Sequence, residues 1–147
     1  MVKQFLCGFA AMTLLAMPAM AQTVDFGDDS GEWANDGECD DPRFTGTGMT
    51  ATQLLTDDIL ADATDCETAW NAGALELAGV SVAGGKIEID FGTDNGEWAN
   101  DNECDDPRFT GPGMTATQLL SEDILNDATD CRTAFEAGNL SLIGVAQ

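Results

Sequence analysis

Residues 33–44 read WANDGECDDPRF, and residues 98–109 repeat this stretch as WANDNECDDPRF with one change. The match extends well beyond it. Residues 25–80 align with residues 90–145 at a constant offset, and 43 of the 56 aligned positions are identical. Self-similarity at a fixed period indicates a repeated structural unit. We therefore expect two tandem copies of one small unit.

The start of the chain has the features of a secretory signal peptide. Lys3 gives it a basic beginning, residues 4–16 are mostly apolar, and residues 19–21 (Ala-Met-Ala) fit a small-residue cleavage site. The apolar run is too short to span a bilayer. We expect a periplasmic or secreted protein, with no membrane insertion after cleavage. The predicted organisation is a signal peptide at 1–21, repeat unit 1 at 22–83 and repeat unit 2 at 84–147.

The chain is strongly acidic. It has 27 Asp and Glu residues against 5 Lys and Arg, which gives a formal net charge of −22. Nucleic acid and anionic membrane surfaces should repel such a chain, so we expect no nucleic-acid partner. Divalent cations and a basic protein or surface are the partners that this charge favours. The sequence also contains no His and no Tyr, and this lack of common general bases predicts a non-enzymatic protein.

Each copy reads as strand, acidic loop, helix and strand. Residues 24–26 alternate apolar with polar, as a half-buried strand does, whereas residues 27–48 are rich in Asp, Asn and Gly and lack a helical period. Helical signals begin near Thr50 and again near Thr64. Thr64 and Glu67 have the spacing of a capping box, and Gly73 supplies a C-terminal stop; these three residues define the second helix.

The junction between the copies has the pattern of a β-hairpin. Residues 80–82 and 87–89 alternate apolar with polar, and Gly84-Gly85 between them is a turn sequence. The predicted fold class is therefore α+β, with two small units joined by this hairpin.

Aromatic residues lie on both sides of each acidic loop. We expect Trp33 and Trp98 to enter the hydrophobic core together with Phe44 and Phe109. The apolar residues predicted to pack against them in the first copy are Leu54, Leu55, Ile59 and Leu60. Trp70 and Phe135, at matching helix positions, are also predicted to belong to the core.

Four cysteines follow the signal peptide: Cys39, Cys66, Cys104 and Cys131. They permit three pairings, but the duplication favours one bridge within each copy, Cys39–Cys66 and Cys104–Cys131. A zinc site is the rival interpretation. It is disfavoured because the sequence has no C-x-x-C and no His, and because an exported protein meets an oxidising environment.

Each predicted disulfide would join two acidic strips. Converging carboxylates repel one another unless a counter-ion is present, and calcium is a hard cation that takes six to eight oxygen ligands from such loops. We therefore expect about one calcium ion per repeat. The candidate ligands are Asn35, Asp36, Asp40, Asp41, Asp62 and Asp65 in the first copy, and Asn100, Asp101, Asp105, Asp106, Asp127 and Asp130 in the second.

An alternative interpretation needs no metal. Acidic runs are often solvated faces, and Arg43 and Arg108 could each neutralise some of the carboxylates. On this interpretation the protein is a disulfide-closed interaction module whose acidic face binds a basic partner.

The two acidic strips resemble those of the calcium-binding Notch-type repeat, in which an Asn-Gly-x-Cys-Asp stretch and a later Asp-Gly-x-Asp-Cys stretch surround one ion. The residues that carry the likeness are Asn35, Cys39, Asp40, Asp62, Asp65 and Cys66, with their counterparts in the second copy. That family has three disulfides where one fits here, so the resemblance implies only the ligand arrangement. The whole pattern, WANDGECDDPRF followed by GM and DATDC, is also similar to a repeat of exported bacterial proteins.

Overall fold

The computed structural model describes residues 23–83 and 86–146. The predicted signal peptide at 1–21 and the predicted turn at Gly84-Gly85 lie outside the described residues. No helix in the described ranges has the length and apolar character needed to cross a membrane.

Each unit contains one α-helix and one short antiparallel strand pair. In unit 1, strand β1 (Phe44–Gly46) leads through a 3₁₀ turn (Thr56–Asp58) to helix α1 (Ala63–Asn71) and strand β2 (Leu75–Leu77). Strands β1 and β2 pair with Phe44 opposite Leu77. The counterparts in unit 2 are strand β5 (Phe109–Thr110), a 3₁₀ turn (Ser121–Asp123), helix α2 (Ala128–Glu136) and strand β6 (Ser141–Leu142).

A β-hairpin joins the units, as the sequence predicts. Strand β3 (Val80–Ala83) pairs antiparallel with strand β4 (Lys86–Ile89), with Val80 opposite Ile89. The predicted α+β class with two similar units is confirmed.

Two local predictions are wrong. Residues 24–26 form no strand, only an isolated bridge between Val24 and Val145. The helix expected from Thr50 is reduced to the 3₁₀ turn. Leu60, with φ 62°, takes a left-handed conformation and donates its N–H to Asp41 Oδ2 at 2.9 Å. Ile59 before it is already extended, with ψ 120°, so these two residues separate the 3₁₀ turn from α1.

The capping box predicted at Thr64 and Glu67 does not form. Instead, Asp29 caps helix α1 from outside, accepting the Thr64 N–H at 2.8 Å and the Thr64 hydroxyl at 2.7 Å. The N-terminal amides of a helix need an acceptor, and any nearby carboxylate can supply it. The predicted stop at Gly73 is confirmed: with φ 71°, Gly73 donates its N–H to Trp70 O, which satisfies an end carbonyl.

The core of each unit is an aromatic trio packed near the disulfide. In unit 1, Phe26 stacks on Phe44 with ring centroids 5.6 Å apart, and Trp70 meets both rings edge-on. Leu75 and Leu77 complete this cluster. Unit 2 repeats the trio with Phe91, Phe109 and Phe135. The core positions predicted for Phe44, Phe109, Trp70 and Phe135 are confirmed.

Trp33 and Trp98 do not join these cores, so that prediction is wrong. Each is 49 % exposed, and Leu55 is 44 % exposed. Asn35, with φ 68°, makes a left-handed turn two residues after Trp33. The interior of each unit is already filled by the aromatic trio, which leaves the tryptophans on the surface.

The end of each repeat packs on the other unit. Val80 and Val145 both contact both hydrophobic clusters. Arg108 Nη1 donates to Ala78 O at 2.7 Å, and Arg43 Nη1 donates to Ile143 O at 3.1 Å at the equivalent position. The C-terminal segment of each unit thus accepts a hydrogen bond from the buried arginine of the other unit.

Glycine is required where each of these segments passes over the guanidinium. Gly79 has φ 63°, and a Cβ there would collide with Arg108 Nη1. Gly144 has φ 67°, and a Cβ there would collide with Arg43 Nη1. A side chain at either position would therefore separate a repeat end from the opposite unit.

Candidate cation site

The disulfides have the predicted pairing, Cys39–Cys66 and Cys104–Cys131. Cys39 lies in the acidic loop of unit 1, and Cys66 lies in the first turn of α1. Each bridge therefore holds the loop residue Asp40 beside Asp62, the residue at the N-terminus of the helix.

Asp62 occupies the N-cap position of α1 but makes no capping hydrogen bond. Asp29 already caps the helix, so the Asp62 carboxylate turns instead toward the disulfide loop. Its Oδ2 accepts the Asp40 N–H at 2.8 Å. Asp127 accepts the Asp105 N–H at the same distance in unit 2. The side chains of these four aspartates are buried.

Each pair presents two carboxylate oxygens without a partner. Within residues 23–83 and 86–146, the buried side-chain oxygens that find no hydrogen bond are Asp40 Oδ2, Asp62 Oδ1, Asp105 Oδ2 and Asp127 Oδ1. A buried polar atom without a partner costs free energy, and a buried charge costs more. The same defect occurs twice, at equivalent atoms, so it is a property of the repeated unit.

Asp62 and Asp127 also lie close to the disulfide sulfurs. A carboxylate oxygen and two sulfurs lie within 4.8 Å of one another at Cys39, Asp62 and Cys66, and likewise at Cys104, Asp127 and Cys131. This spacing is close enough to hold a metal ion. A disulfide sulfur carries no thiolate charge, however, and the thiolate is the form of cysteine that binds metals. The oxygens are therefore the atoms that can attract a cation.

Further carboxylates border each pair. Asp65 Oδ2 accepts the Gly37 N–H at 2.9 Å, and Asp36 Oδ1 accepts the Glu38 N–H at 3.0 Å. Asp130 and Asp101 make the equivalent bonds in unit 2, to Asn102 and Glu103. The bonds of Asp65 and Asp130 fix the acidic loop against the helix, whereas those of Asp36 and Asp101 are local to the loop. Each of these bordering aspartates accepts a backbone hydrogen bond through one of its carboxylate oxygens.

The pKa values follow from burial and mutual repulsion. Burial is the main cause that raises the pKa of Asp62 to about 6, and repulsion by Asp65 and Asp40 adds to it. Burial likewise raises the pKa of Asp127 and of Asp105 to about 6. Burial, followed by repulsion from Asp36, raises the pKa of Asp40. A nearby cation would lower all of these pKa values again.

Asp41 and Asp106, two of the predicted ligands, are already neutralised. The Asp41 oxygens accept from Arg43 Nε and Nη2, with Nη2 to Oδ2 at 2.6 Å. Asp106 and Arg108 form the same buried pair. Asp41 Oδ2 also accepts the Leu60 N–H. We therefore leave both aspartates out of the proposed ligand set.

Asn35 and Asn100 are exposed, at turns with φ 68° and 69°. The Asp29 carboxyl has a lowered pKa, caused mainly by the backbone N–H of Thr64 and in smaller part by the Asn35 side chain. Asn35 thus lies on the helix-capping side of the loop. Of the predicted aspartates, Asp65, Asp40 and Asp36 lie close enough to Asp62 for their charges to raise its pKa.

Sequence reasoning missed Asp58 and Asp123. Both are buried in the 3₁₀ turns, and burial is the main cause that raises their pKa. Each also helps to raise the pKa of the neighbouring aspartate, Asp40 or Asp105. The signal was present in the sequence, because Asp58 immediately precedes Ile59 and Leu60 in a stretch that is otherwise partly apolar.

These pKa values predict that the metal-free protein becomes less stable as pH rises from about 4 to above 6. In that window the folded state holds protons on Asp62, Asp105 and Asp127 that the unfolded chain has released. Stability therefore falls with pH, by at most about 3 kcal/mol for each of the three groups. Urea unfolding in metal-free buffer at a series of pH values measures this slope.

A matched variant provides the control for the pH experiment. Asp62→Asn combined with Asp127→Asn removes two of the three groups and should flatten the slope. A free energy of unfolding that stays constant or increases between pH 4.5 and about 7 would contradict the assignment.

Comparison with family models, with curated proteins and with solved structures finds no match to this chain.

Proposed function

We propose that each unit binds one calcium ion through the paired carboxylates beside its disulfide. The first unit uses Asp40 and Asp62, and the second uses Asp105 and Asp127. The observation that carries this proposal is the set of four buried carboxylate oxygens without hydrogen-bond partners. An ion bound there would satisfy these oxygens and offset the repulsion that raises the pKa values of the cluster.

The donor chemistry favours calcium over other metals. Zinc and copper prefer imidazole and thiolate, but the chain has no His and the four cysteines after the predicted signal peptide are paired. Magnesium requires near-ideal octahedral geometry and keeps its waters. Calcium accepts six to eight oxygens in flexible geometry, so Asp36, Asp65, backbone carbonyls and water could complete its coordination.

The proposed role is non-enzymatic. The ion would fasten the acidic loop to the start of the helix, at the same place as the disulfide. Calcium would then act as a second cross-link, which forms outside the cytoplasm in a periplasmic or secreted protein. Disulfide bonds are compatible with such a compartment.

Calcium titration calorimetry tests the proposal. We expect about two equivalents to bind, with a rise in unfolding free energy of about 2.7 kcal/mol per site when free calcium exceeds Kd by a hundredfold. Asp62→Asn with Asp127→Asn should abolish calcium binding or weaken it by at least about tenfold. Glu76→Gln with Glu88→Gln removes the same charge from exposed strand positions and should leave binding unchanged.

The same aspartate variant has opposite effects with and without the ion. In metal-free buffer near neutral pH, asparagine removes a buried charge, so the variant should be more stable than the original protein. In saturating calcium the order should reverse. No heat of binding, together with an identical thermal melt in calcium and in chelator, would sink the proposal.

A further inference from the structure

The exposed Trp98 belongs to a surface that lies across both units. Residues 53–57 of unit 1 and residues 118–122 of unit 2 occupy equivalent positions, and together they line a cleft of about 130 Å³. A second cleft, of about 210 Å³, includes Trp98 and shares Leu120 and Glu122 with the first. Trp33 has the position in unit 1 that Trp98 has in unit 2, and we include it on the basis of this equivalence. We call this region the Trp-Leu surface: Trp33, Trp98 and residues 53–57 and 118–122.

Hydrogen bonds between the units hold the Trp-Leu surface in place. The Ser121 hydroxyl donates to Leu54 O at 2.7 Å, and the Thr56 hydroxyl donates to Leu119 O at 3.2 Å. The hydrogen bonds from Arg43 to Ile143 O and from Arg108 to Ala78 O join the units at a second place. The surface is therefore assembled before a partner arrives, which reduces the entropy cost of binding.

Large apolar side chains remain exposed here although the cores are filled. Trp33 and Trp98 are each 49 % exposed, and Leu55 is 44 % exposed. Tryptophan is enriched among the residues that dominate binding energy at protein interfaces.

Charge decides which partner fits. The clefts are lined by the carboxylates of Asp57, Glu97, Glu122 and Asp123 and by no basic residue. A second copy of the chain carries the same net charge of −22 and would be repelled, as would an anionic membrane. A basic polypeptide complements the carboxylates, and an apolar side chain within it would cover the exposed tryptophan and leucine.

We propose that the Trp-Leu surface binds a basic polypeptide segment that carries apolar side chains. Lysine or arginine side chains contact Asp57 and Glu122, while a leucine-sized or aromatic side chain packs between Trp98 and Leu120. The proposal does not rest on cation binding, because none of these residues belongs to the proposed calcium ligands. It deepens the general expectation of a basic partner by assigning a location and a side-chain chemistry.

The test uses an amidated peptide of alternating lysine and leucine, titrated into the full chain by calorimetry. Trp33→Ser with Trp98→Ser should weaken binding by at least about tenfold, since truncating an interface tryptophan commonly costs more than 1.4 kcal/mol. Asp57→Asn with Glu122→Gln should weaken binding severalfold and reduce its dependence on salt. Glu76→Gln with Glu88→Gln is the matched control and should have no such effect. Urea unfolding of each variant confirms that it is folded.

Two control peptides separate the proposal from diffuse attraction. Replacing every leucine of the peptide by serine, or every lysine by glutamate, should abolish binding. Equal binding of the lysine-serine peptide, or equal loss in the Glu76 and Glu88 control, would overturn the proposal in favour of general electrostatic attraction. Trp-dependent self-association in sedimentation, or binding to vesicles of phosphatidylserine, would overturn the choice of partner.

Running the titration with calcium and with chelator keeps this test separate from that of the cation sites. We expect similar peptide affinity in both buffers. A protein that binds calcium but not the peptide contradicts only the surface proposal. A protein that binds the peptide in both buffers but shows no calcium heat contradicts only the cation proposal.

Discussion

Replacing Arg108 by methionine is expected to lower the free energy of unfolding by about 3 to 5 kcal/mol. Arg108 is 2 % exposed, and its guanidinium contacts both oxygens of Asp106. The substitution would leave that carboxylate buried without its positive partner. It would also remove the donor to Ala78 O, which joins the end of unit 1 to unit 2, and the donor to Asp90 O within unit 2. Urea unfolding measures the loss.

Arg132→Met is the matched control for the loss of Arg108. Arg132 is exposed and lies over the Phe91 ring at 5.3 Å, so its removal should cost at most about 1 kcal/mol. A double variant, Arg108→Met with Asp106→Asn, should recover part of the loss because no buried charge remains unpaired. An effect of Arg108→Met no larger than that of Arg132→Met would contradict the role assigned to the buried pair.

Removing the Cys39–Cys66 bridge by alanine substitution of both cysteines is expected to cost about 3 to 4 kcal/mol on the chain-entropy model. The bridge closes a segment with a sequence separation of 27 in a unit with a small core. It also holds Asp40 beside Asp62, so the variant should lose the calcium site of unit 1. Thermal melting and calcium calorimetry on the same sample measure both effects.

The matched control for the disulfide is the other unit. Alanine substitution of Cys104 and Cys131 should give a similar loss of stability, and each double variant should retain about one calcium equivalent. If the Cys39 and Cys66 variant still binds two equivalents, the disulfide does not organise the cation site.

The features predicted correctly depend on spacing and covalent chemistry. The constant offset between the copies predicts two similar units and one disulfide within each. The turn residues around Gly84-Gly85 predict the hairpin in which Val80 pairs with Ile89. Gly73 ends α1 because the left-handed conformation at that point favours glycine. These features are either local or repeated, so one sequence suffices to find them.

The features that were missed depend on tertiary contacts. Asp29 caps α1 across 35 residues of chain, which frees Asp62 for the disulfide loop. Asp41 looks like Asp40 in the sequence, but only Asp41 meets a guanidinium. Trp33 is a large aromatic residue of the kind that usually packs in a core, yet the aromatic trio already fills the interior of the unit. Neighbouring acids thus take different roles according to which side of the loop they face.

Anomalous scattering from crystals grown in calcium tests the cation site most directly. The paired carboxylates predict one peak per unit, within about 2.3 to 2.6 Å of an oxygen of Asp40 and of Asp62 in the first and of Asp105 and Asp127 in the second. Peaks confined to exposed carboxylates, or no peak beside either disulfide at saturating calcium, would contradict it.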